Sequence, residues 1–525
     1  MTDSLKTAVF FLAALIVLIP AVYLSLPERE TFQSSQMINQ VLFPELTNVM
    51  DVGSLAIQTP EKNGTARNLE VKKIGGQWIL SSFSGYPANA QNRMVDVVSA
   101  LSGLEVLRVV GEDETTRAQC GVLTSEEAPS AEPSELGTRI TIRSPQDKML
   151  LDLILGHEAE EGTGKYYVRR AGQNPVYVVS MDPSRLSANF IDWIETDLLK
   201  IQPSDIASLF ALDCRLDFHA NADGSPAFDH RGQFMLAQKY MEDPDWVLIS
   251  NQKVFGNGMR DVGMPTGQVL NLPGLRRVSK SLADTRICGV QRKPAALRET
   301  FLHPESLSVS EDLNQLLQER GFCVLPMDLG QGPINALFST DGQLHVYTAG
   351  GVVYRLFFGG IAGQEAIADL ADIGDRKFYR YLLLTAELYP QGIEQPNLQE
   401  LPPKPEGEAD AAAKAQYAAV LEMNQQEQKI YEEKLSQARE KVEKMNALFA
   451  DWFYIIPEDV YQQIHVTYDS AFISEEEAQK MKDENAAETH EEAEHHEEAD
   501  HHEEADHSAE ECHDENCPLH HHHED

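Results

Sequence analysis

The chain has 525 residues, 42% of them apolar, which is enough to bury a substantial core and long enough for two or three domains. Its formal net charge is -40, from 83 acidic against 43 basic residues, and roughly half of that excess sits in the last fifty residues. Nucleic-acid binding needs clustered Lys and Arg to displace counterions from phosphates, and the sequence shows no basic stripe, so nucleic acid is excluded as a partner.

The first element is apolar. Ala8 to Leu26 reads AVFFLAALIVLIPAVYLSL without a charge, close to the roughly 20 residues a helix needs to cross the hydrocarbon layer. A cleaved signal peptide is the alternative, but its apolar core is shorter and ends at a small-x-small site, which Tyr23 to Pro27 does not supply. Residues 1–30 are therefore expected to form an N-terminal membrane anchor, Pro20 being tolerable in a bilayer helix. Lys6 before the run and Glu28, Arg29 and Glu30 after it give a charge bias that places the N-terminus inside. The expected location is a cell inner membrane, single-pass, with the bulk of the chain extracytoplasmic.

Beyond the anchor one pattern occurs twice, over residues 50–210 and 211–474. Each copy opens with alternating, strand-like segments that reach a tryptophan, Trp78 and Trp246. An amphipathic helix leading into a strand follows, with Val97, Leu101, Val106 and Val109 spaced as Val278, Leu282, Ile287 and Val290. Leu153-Ile154-Leu155-Gly156 parallels Leu356-Phe357-Phe358-Gly359, and both precede an aromatic strand, Tyr166 to Arg169 and Phe378 to Tyr381. Each copy closes on F-x-D-W, Phe190 to Trp193 and Phe449 to Trp452, then on Pro203 to Ile206 and Pro457 to Val460. These anchors predict an α+β protein of two tandem, similar units with mainly antiparallel sheets. They read as packing positions, and Gly156 and Gly359 as strand ends or turns.

The second copy carries an insertion. Pro390 to Pro405 has the composition of a linker, and the Ala, Glu, Lys and Gln-rich stretch over 408–448 predicts a long inserted helix. Its apolar seam runs Tyr417, Leu421, Tyr431, Leu435, Ala438, Val442, Met445 and Phe449, broken at Asn424 and Gln428. Docking on the protein's own sheet, coiled-coil pairing with a second chain and a hairpin all remain open.

Cys120, Cys214, Cys288 and Cys323 are scattered, three of them in apolar strand-like stretches where a thiol serves as a small buried hydrophobe. A disulfide among them is allowed in an oxidising compartment, without a pairing that spacing can choose.

From residue 475 to 525 the chain turns acidic, and EEAEHH, EEADHH and EEADHS repeat over Glu491 to Ser508. Such a block repels itself and is expected to be disordered. His490, His495, His496, His501, His502, His507, Cys512, His513, Cys517, His520, His521, His522 and His523 offer imidazole and thiolate ligands suited to zinc, nickel or copper. Divalent metal ions are therefore candidate partners, with no cofactor required. The spacing does not make a hydrolytic zinc site: the fourth residue after His490, His496 and His502 is Glu494, Asp500 and Asp506, not His.

No phosphate loop, dinucleotide fingerprint or nucleophile elbow appears. The ectodomain histidines His157, His219, His230, His303, His345 and His465 are far apart, so no enzymatic activity is expected, an exported hydrolase being the minor alternative.

The tryptophan strand followed by Tyr86-Pro87-Ala88, the stretch from Gly164 through Tyr166 and Tyr167 to Arg169, and the closing F-x-D-W resemble a bacterial family, domain of unknown function 4340. That family is seen in tandem in planctomycete-like proteins, and the likeness runs over roughly Val52 to Ile473. It implies an envelope location and, in some relatives, association with transporters similar to gliding-type ATP-driven exporters. It supplies no catalytic residue. The combined expectation is a non-catalytic, membrane-anchored extracytoplasmic scaffold or accessory protein with protein partners in the envelope. The alternative is a membrane-tethered metal buffer or delivery protein acting through its tail.

Overall fold

A computed structural model describes residues 34–60, 66–160, 162–218, 227–239, 245–255, 258–304, 307–328, 333–363, 378–404 and 411–481. The apolar run over 8–26 and every histidine and cysteine of the tail lie outside the described residues. No helix among the described residues is long and apolar enough to cross a membrane.

The protein is mixed α+β with mainly antiparallel sheets, and it divides into two compact units between Ile194 and Glu195. The division precedes the boundary expected at 210. Its reason is that the strand starting at Ile206 is not the end of the first unit but a central strand of the second sheet.

In the first unit, β1 (Ser54–Pro60), β2 (Ala66–Ile74), β3 (Gln77–Leu80) and β4 (Tyr86–Pro87) run outward as a meander. The chain then crosses to the other edge through the helix Gln91–Leu101, whose Met94, Val97, Val98 and Leu101 are buried. There it forms β5 (Arg108–Gly111) and returns through β6 (Thr138–Arg143), β7 (Met149–Glu158), β8 (Lys165–Arg170) and β9 (Val176–Ser180). The nine strands lie in the order β4-β3-β2-β1-β6-β7-β8-β9-β5. Alternating residues such as Leu55 and Ile57 bury one face, as period-two patterning requires.

The second unit has β10 (Ile206–Asp217), β11 (Ala227–Lys239), β12 (Asp245–Phe255) and β13 (Gly258–Asp261), then β14 (Gln268–Leu270) and the crossing helix Leu272–Ala283. After β15 (Gly289–Arg292) come two short helices, Ala295–Leu302 and Glu311–Gln318, and a hairpin of β16 (Phe322–Asp328) and β17 (Pro333–Ser339). The sheet resumes with β18 (Gln343–Thr348), β19 (Val352–Ile361), β20 (Tyr379–Leu388) and β21 (Trp452–Pro457), and β22 (Phe472–Ser474) pairs with β14. Its nine-stranded order, β13-β12-β11-β10-β18-β19-β20-β21-β15, has the connectivity of the first sheet.

The registers correspond as well. Leu55 faces Val71 and Val71 faces Leu80; Leu209 faces Leu236 and Leu236 faces Leu248, which puts Trp78 and Trp246 at equivalent positions. Val109 faces Tyr177 as Val290 faces Tyr454, and Leu153 faces Ile140 as Leu356 faces Leu344.

Three expected matches do not hold, the first being Pro203 to Ile206, which leads into β10 of the second unit, whereas Pro457 to Val460 ends β21 and opens the helix Glu458–Ile464. The aromatic strands align two residues away from the sequence pairing, with Tyr167 opposite Val178 as Tyr381 is opposite Ile455. The F-x-D-W segments are not equivalent, since Phe190–Trp193 is a short 3-10 helix after β9 whereas Phe449 to Trp452 joins a long helix to β21. Both tryptophans are nonetheless buried, the packing role the sequence assigned them. Gly156 and Gly359 lie within β7 and β19 rather than ending them. A Cβ there would overlap the carbonyl oxygen of Cys120 or of Arg320, so each glycine admits a neighbouring backbone.

The acidic segment does not lose order at residue 475. Residues 475–481 are helical, because Ser474 and Glu477 form a capping box: Glu477 N donates to Ser474 Oγ at 3.2 Å and Ser474 N to Glu477 Oε2 at 3.0 Å.

Candidate functional site

The units differ most between equivalent strands. β8 and β9 are joined by the five residues from Ala171 to Pro175, whereas β20 and β21 are separated by residues 389–451. That insertion holds the helix Ala411–Phe449, whose 39 residues span about 58 Å at 1.5 Å per residue. Its observed range agrees with the expected 408–448.

The helix docks on its own chain. All eight seam residues from Tyr417 to Phe449 are buried or half-buried. Asn424, which interrupts the seam, accepts from Gln399 N at 2.8 Å and donates to Gln399 O at 2.7 Å, fastening the extended segment 393–404 to the helix. Asn446 does the same to Ala386 on β20, with both bonds at 2.8 Å and the side chain buried.

At the helix's C-terminal end a buried cation meets the carbonyls that every helix leaves unpaired. Lys293, directly after β15, donates from Nζ to Phe449 O at 2.7 Å and to Trp452 O at 2.6 Å. The same ammonium lies 5.0 Å from the ring centres of both Phe301 and Phe453. Burial pushes it down to about 7, opposed by the carboxylate of Asp451. Asp451 is itself ion-paired with Arg298. A lysine near neutrality can act as a nucleophile or base where substrate reaches it. Lys293 is 4% exposed and enclosed by two rings and two carbonyls, so it serves here as the cap of the long helix.

Beyond this base, the helix and the segment beside it present Leu398, Leu401, Met423 and Ile430 to solvent. Met423 and Ile430 are seven residues apart and share one helix face. Nearer the base an open cleft of about 540 Å³ is lined by Thr348, Ile393, Lys434, Ala438 and Lys441 among others. The arrangement offers a fixed surface beside an open cleft.

Two further polar clusters are each built round an arginine. Arg380 donates to Asp341 and Glu458 at 2.7 and 2.8 Å and lies 4.1 Å from the Tyr461 ring. Arg169, which the sequence singled out, is 2% exposed and donates to Val122 O, Gln173 O and the Glu127 carboxylate.

Among the six histidines that precede the tail, His219 lies outside the described residues. His345 and His465 are driven by burial down to about 3 and about 4, and they sit on different strands and helices with Gln343 and with Tyr461 respectively. Cys120, Cys214, Cys288 and Cys323 are buried thiols with no disulfide among them. Burial raises the Cys214 and Cys323 thiols to about 12, which leaves them inert. Among the described residues no three His, Cys, Asp or Glu side chains come together as a metal site. The tail histidines and cysteines from His490 to His523, expected from the sequence as metal ligands, all lie outside those residues.

Residues 56–228 match the family described as domain of unknown function, DUF4340. Over that third of its length the chain resembles DUF4340. The match spans the first sheet from β1 onward and ends at the start of β11. No curated protein and no solved structure matches the chain.

Proposed function

We propose that the protein is a non-catalytic scaffold or accessory subunit of a cell-envelope complex, held in the membrane by the apolar run over 8–26. In this reading the DUF4340-like fold occurs twice in tandem, and the second copy has gained a rigid arm for contacting partner proteins. The observation that carries it is the amide-clamped helix. A helix fastened at Asn424, Asn446 and Lys293, with Met423 and Ile430 left in solvent, is pre-organised for contact and loses little conformational entropy on binding. Association with a transporter follows from the family resemblance.

The test is purification of the intact membrane protein and of a Met423→Glu, Ile430→Glu variant, with mass spectrometry of what accompanies each. Both substitutions lie on exposed positions and leave the core untouched. Loss of specific companions from the variant supports the arm, and an identical set of companions sinks it.

A second reading rests on composition alone, namely the density of His and Cys after residue 489. It makes the protein a membrane-tethered buffer or delivery protein for zinc, nickel or copper. Removing the tail separates the two, because a scaffold keeps its partners and a buffer loses its metal.

A further inference from the structure

The free edge of the second sheet is built unlike that of the first. In the first sheet the equivalent edge strand is β4, two residues long, with Tyr86 buried and a proline beside it, a form that blunts an edge. In the second sheet β13 has four residues, all exposed, and among the described residues it pairs with β12 alone. Along this ladder Lys253 stands opposite Arg260 and Val254 opposite Met259. Since neighbours on a strand point to opposite faces, Val254 and Met259 share one face while Lys253, Phe255 and Arg260 share the other. Val254, Phe255, Met259, Val262 and Met264 are all exposed large apolar residues. Apolar side chains on both faces of an edge cannot all be turned toward this unit's own core.

Charge chooses among the occupants. Along the ladder itself Lys253 and Arg260 stand against Asp261 alone, in a protein whose net charge is -40. The Asp261 carboxylate is taken up by Gly263 N at 2.9 Å. The ammonium of Lys253 lies 3.8 Å from the Tyr468 ring centre, and the Arg260 guanidinium lies 5.9 Å from that of Phe255. Phe, Met and Val flanked by Lys and Arg match an anionic lipid surface, with the apolar groups at the acyl boundary and the cations among headgroup phosphates.

We infer that the β12–β13 edge is a lipid-docking surface that lays the second unit on an anionic membrane. The inference rests on the reading that the ectodomain stands at a bilayer, and it assigns a surface separate from the helical arm.

The test is amide hydrogen exchange on the full chain in detergent, in phosphatidylcholine nanodiscs and in discs of equimolar phosphatidylcholine and phosphatidylglycerol. Exchange over residues 252–255 and 258–262 is expected to slow by roughly tenfold in the anionic discs only. The protection is expected to be lost in Phe255→Ser, Met259→Ser and in Lys253→Glu, Arg260→Glu, with exchange in β10 and β11 unchanged as the control for folding. Equal exchange in all three environments overturns the inference while leaving the anchor reading intact. Protection in detergent that grows with protein concentration overturns it in favour of a second copy at the edge. A chain that does not enter the discs overturns the inference and the anchor reading together.

Discussion

The side-chain amide of Asn446 completes the main-chain hydrogen bonding of Ala386, accepting from its N–H and donating to its C=O, both at 2.8 Å. β21 accompanies β20 only from Tyr379 to Leu382. Farther along, Ala386 faces Tyr354 of β19 on one side and the long helix on the other. The amide thus stands where a further strand would, so one residue lets a helix close a sheet edge without leaving buried backbone groups unpaired. Asn424 repeats the device on Gln399 in a solvent-exposed setting.

Replacing Asn446 by Ala leaves a buried donor and a buried acceptor unmet and is expected to destabilise the second unit by about 2–4 kcal/mol. Asn424→Ala, where water can replace the amide, is expected to cost about 0.5–1.5 kcal/mol. Urea denaturation of each variant reads the difference, and amide exchange at Ala386 should accelerate only in the first. Equal, small effects from both would show that the buried clamp contributes nothing beyond the exposed one.

Lys293→Met keeps the volume of the buried stem and removes the donor to Phe449 O and Trp452 O, with an expected loss of about 1–3 kcal/mol near pH 10, where the lysine is neutral in the folded chain. Its sign against pH is distinctive. Lys293 is depressed in the folded state to about 7 from its ordinary 10.5, so its contribution is fully present above about 10.5 and falls away as pH drops toward 7. Wild-type stability relative to the methionine variant should therefore rise between those limits. A gap independent of pH would place the ammonium in contact with water.

His345 and His465 are also held neutral by burial, down to about 3 and about 4 from an ordinary value of 6.5. A histidine depressed on folding gives stability that is present above 6.5 and is lost as pH falls from there toward the folded value. Both groups lie in the second unit, which should soften in mild acid with a slope of up to about 1.4 kcal/mol per pH unit for each group. His465→Phe preserves the packing against Tyr461 and Phe358, and its acid transition should be shallower. An unaltered transition would remove His465 from the account.

How far the sequence carries is clearest where period and packing agree. Val97 with Leu101, Val109 and Leu153 were legible because helix and strand spacing fix which residues face the core, and each has its structural counterpart in the second sheet. F-x-D-W misled because a buried tryptophan near an aspartate serves both a 3-10 turn and a helix-to-strand junction, and composition does not separate them. Asn424 reads as a flaw in an apolar seam, while its partner is a backbone 25 residues earlier that no periodicity exposes. Lys293 and the β12–β13 edge stayed hidden for a similar reason. Burial of a lysine and exposure of a Phe-Met pair are set by which strands neighbour them, not by the residues themselves. The box of Ser474 and Glu477 was within reach, since S-x-x-E opens the acidic segment, but the weight of charge beyond it spoke for disorder.

That same box bears on how the tail must be cut to test it. Truncation at Ser474 removes Glu477 and uncaps the end of β22, so a fall in metal uptake could reflect damage to the β14–β22 pair. Ending the chain after Met481 keeps the capped helix and removes every histidine and cysteine of the tail. Equilibrium dialysis against zinc or nickel should then show uptake by the full chain and little by the truncated one. Because imidazole must lose its proton to bind, uptake by the full chain should fall as pH drops through about 6.5. Thiolate ligation adds a separate signature: with cobalt in place of zinc, Cys512→Ser, Cys517→Ser should lose sulfur-to-metal absorption while the histidines retain part of the binding. Equal uptake by full and truncated chains would remove the metal reading of the tail and leave its charge alone to be explained.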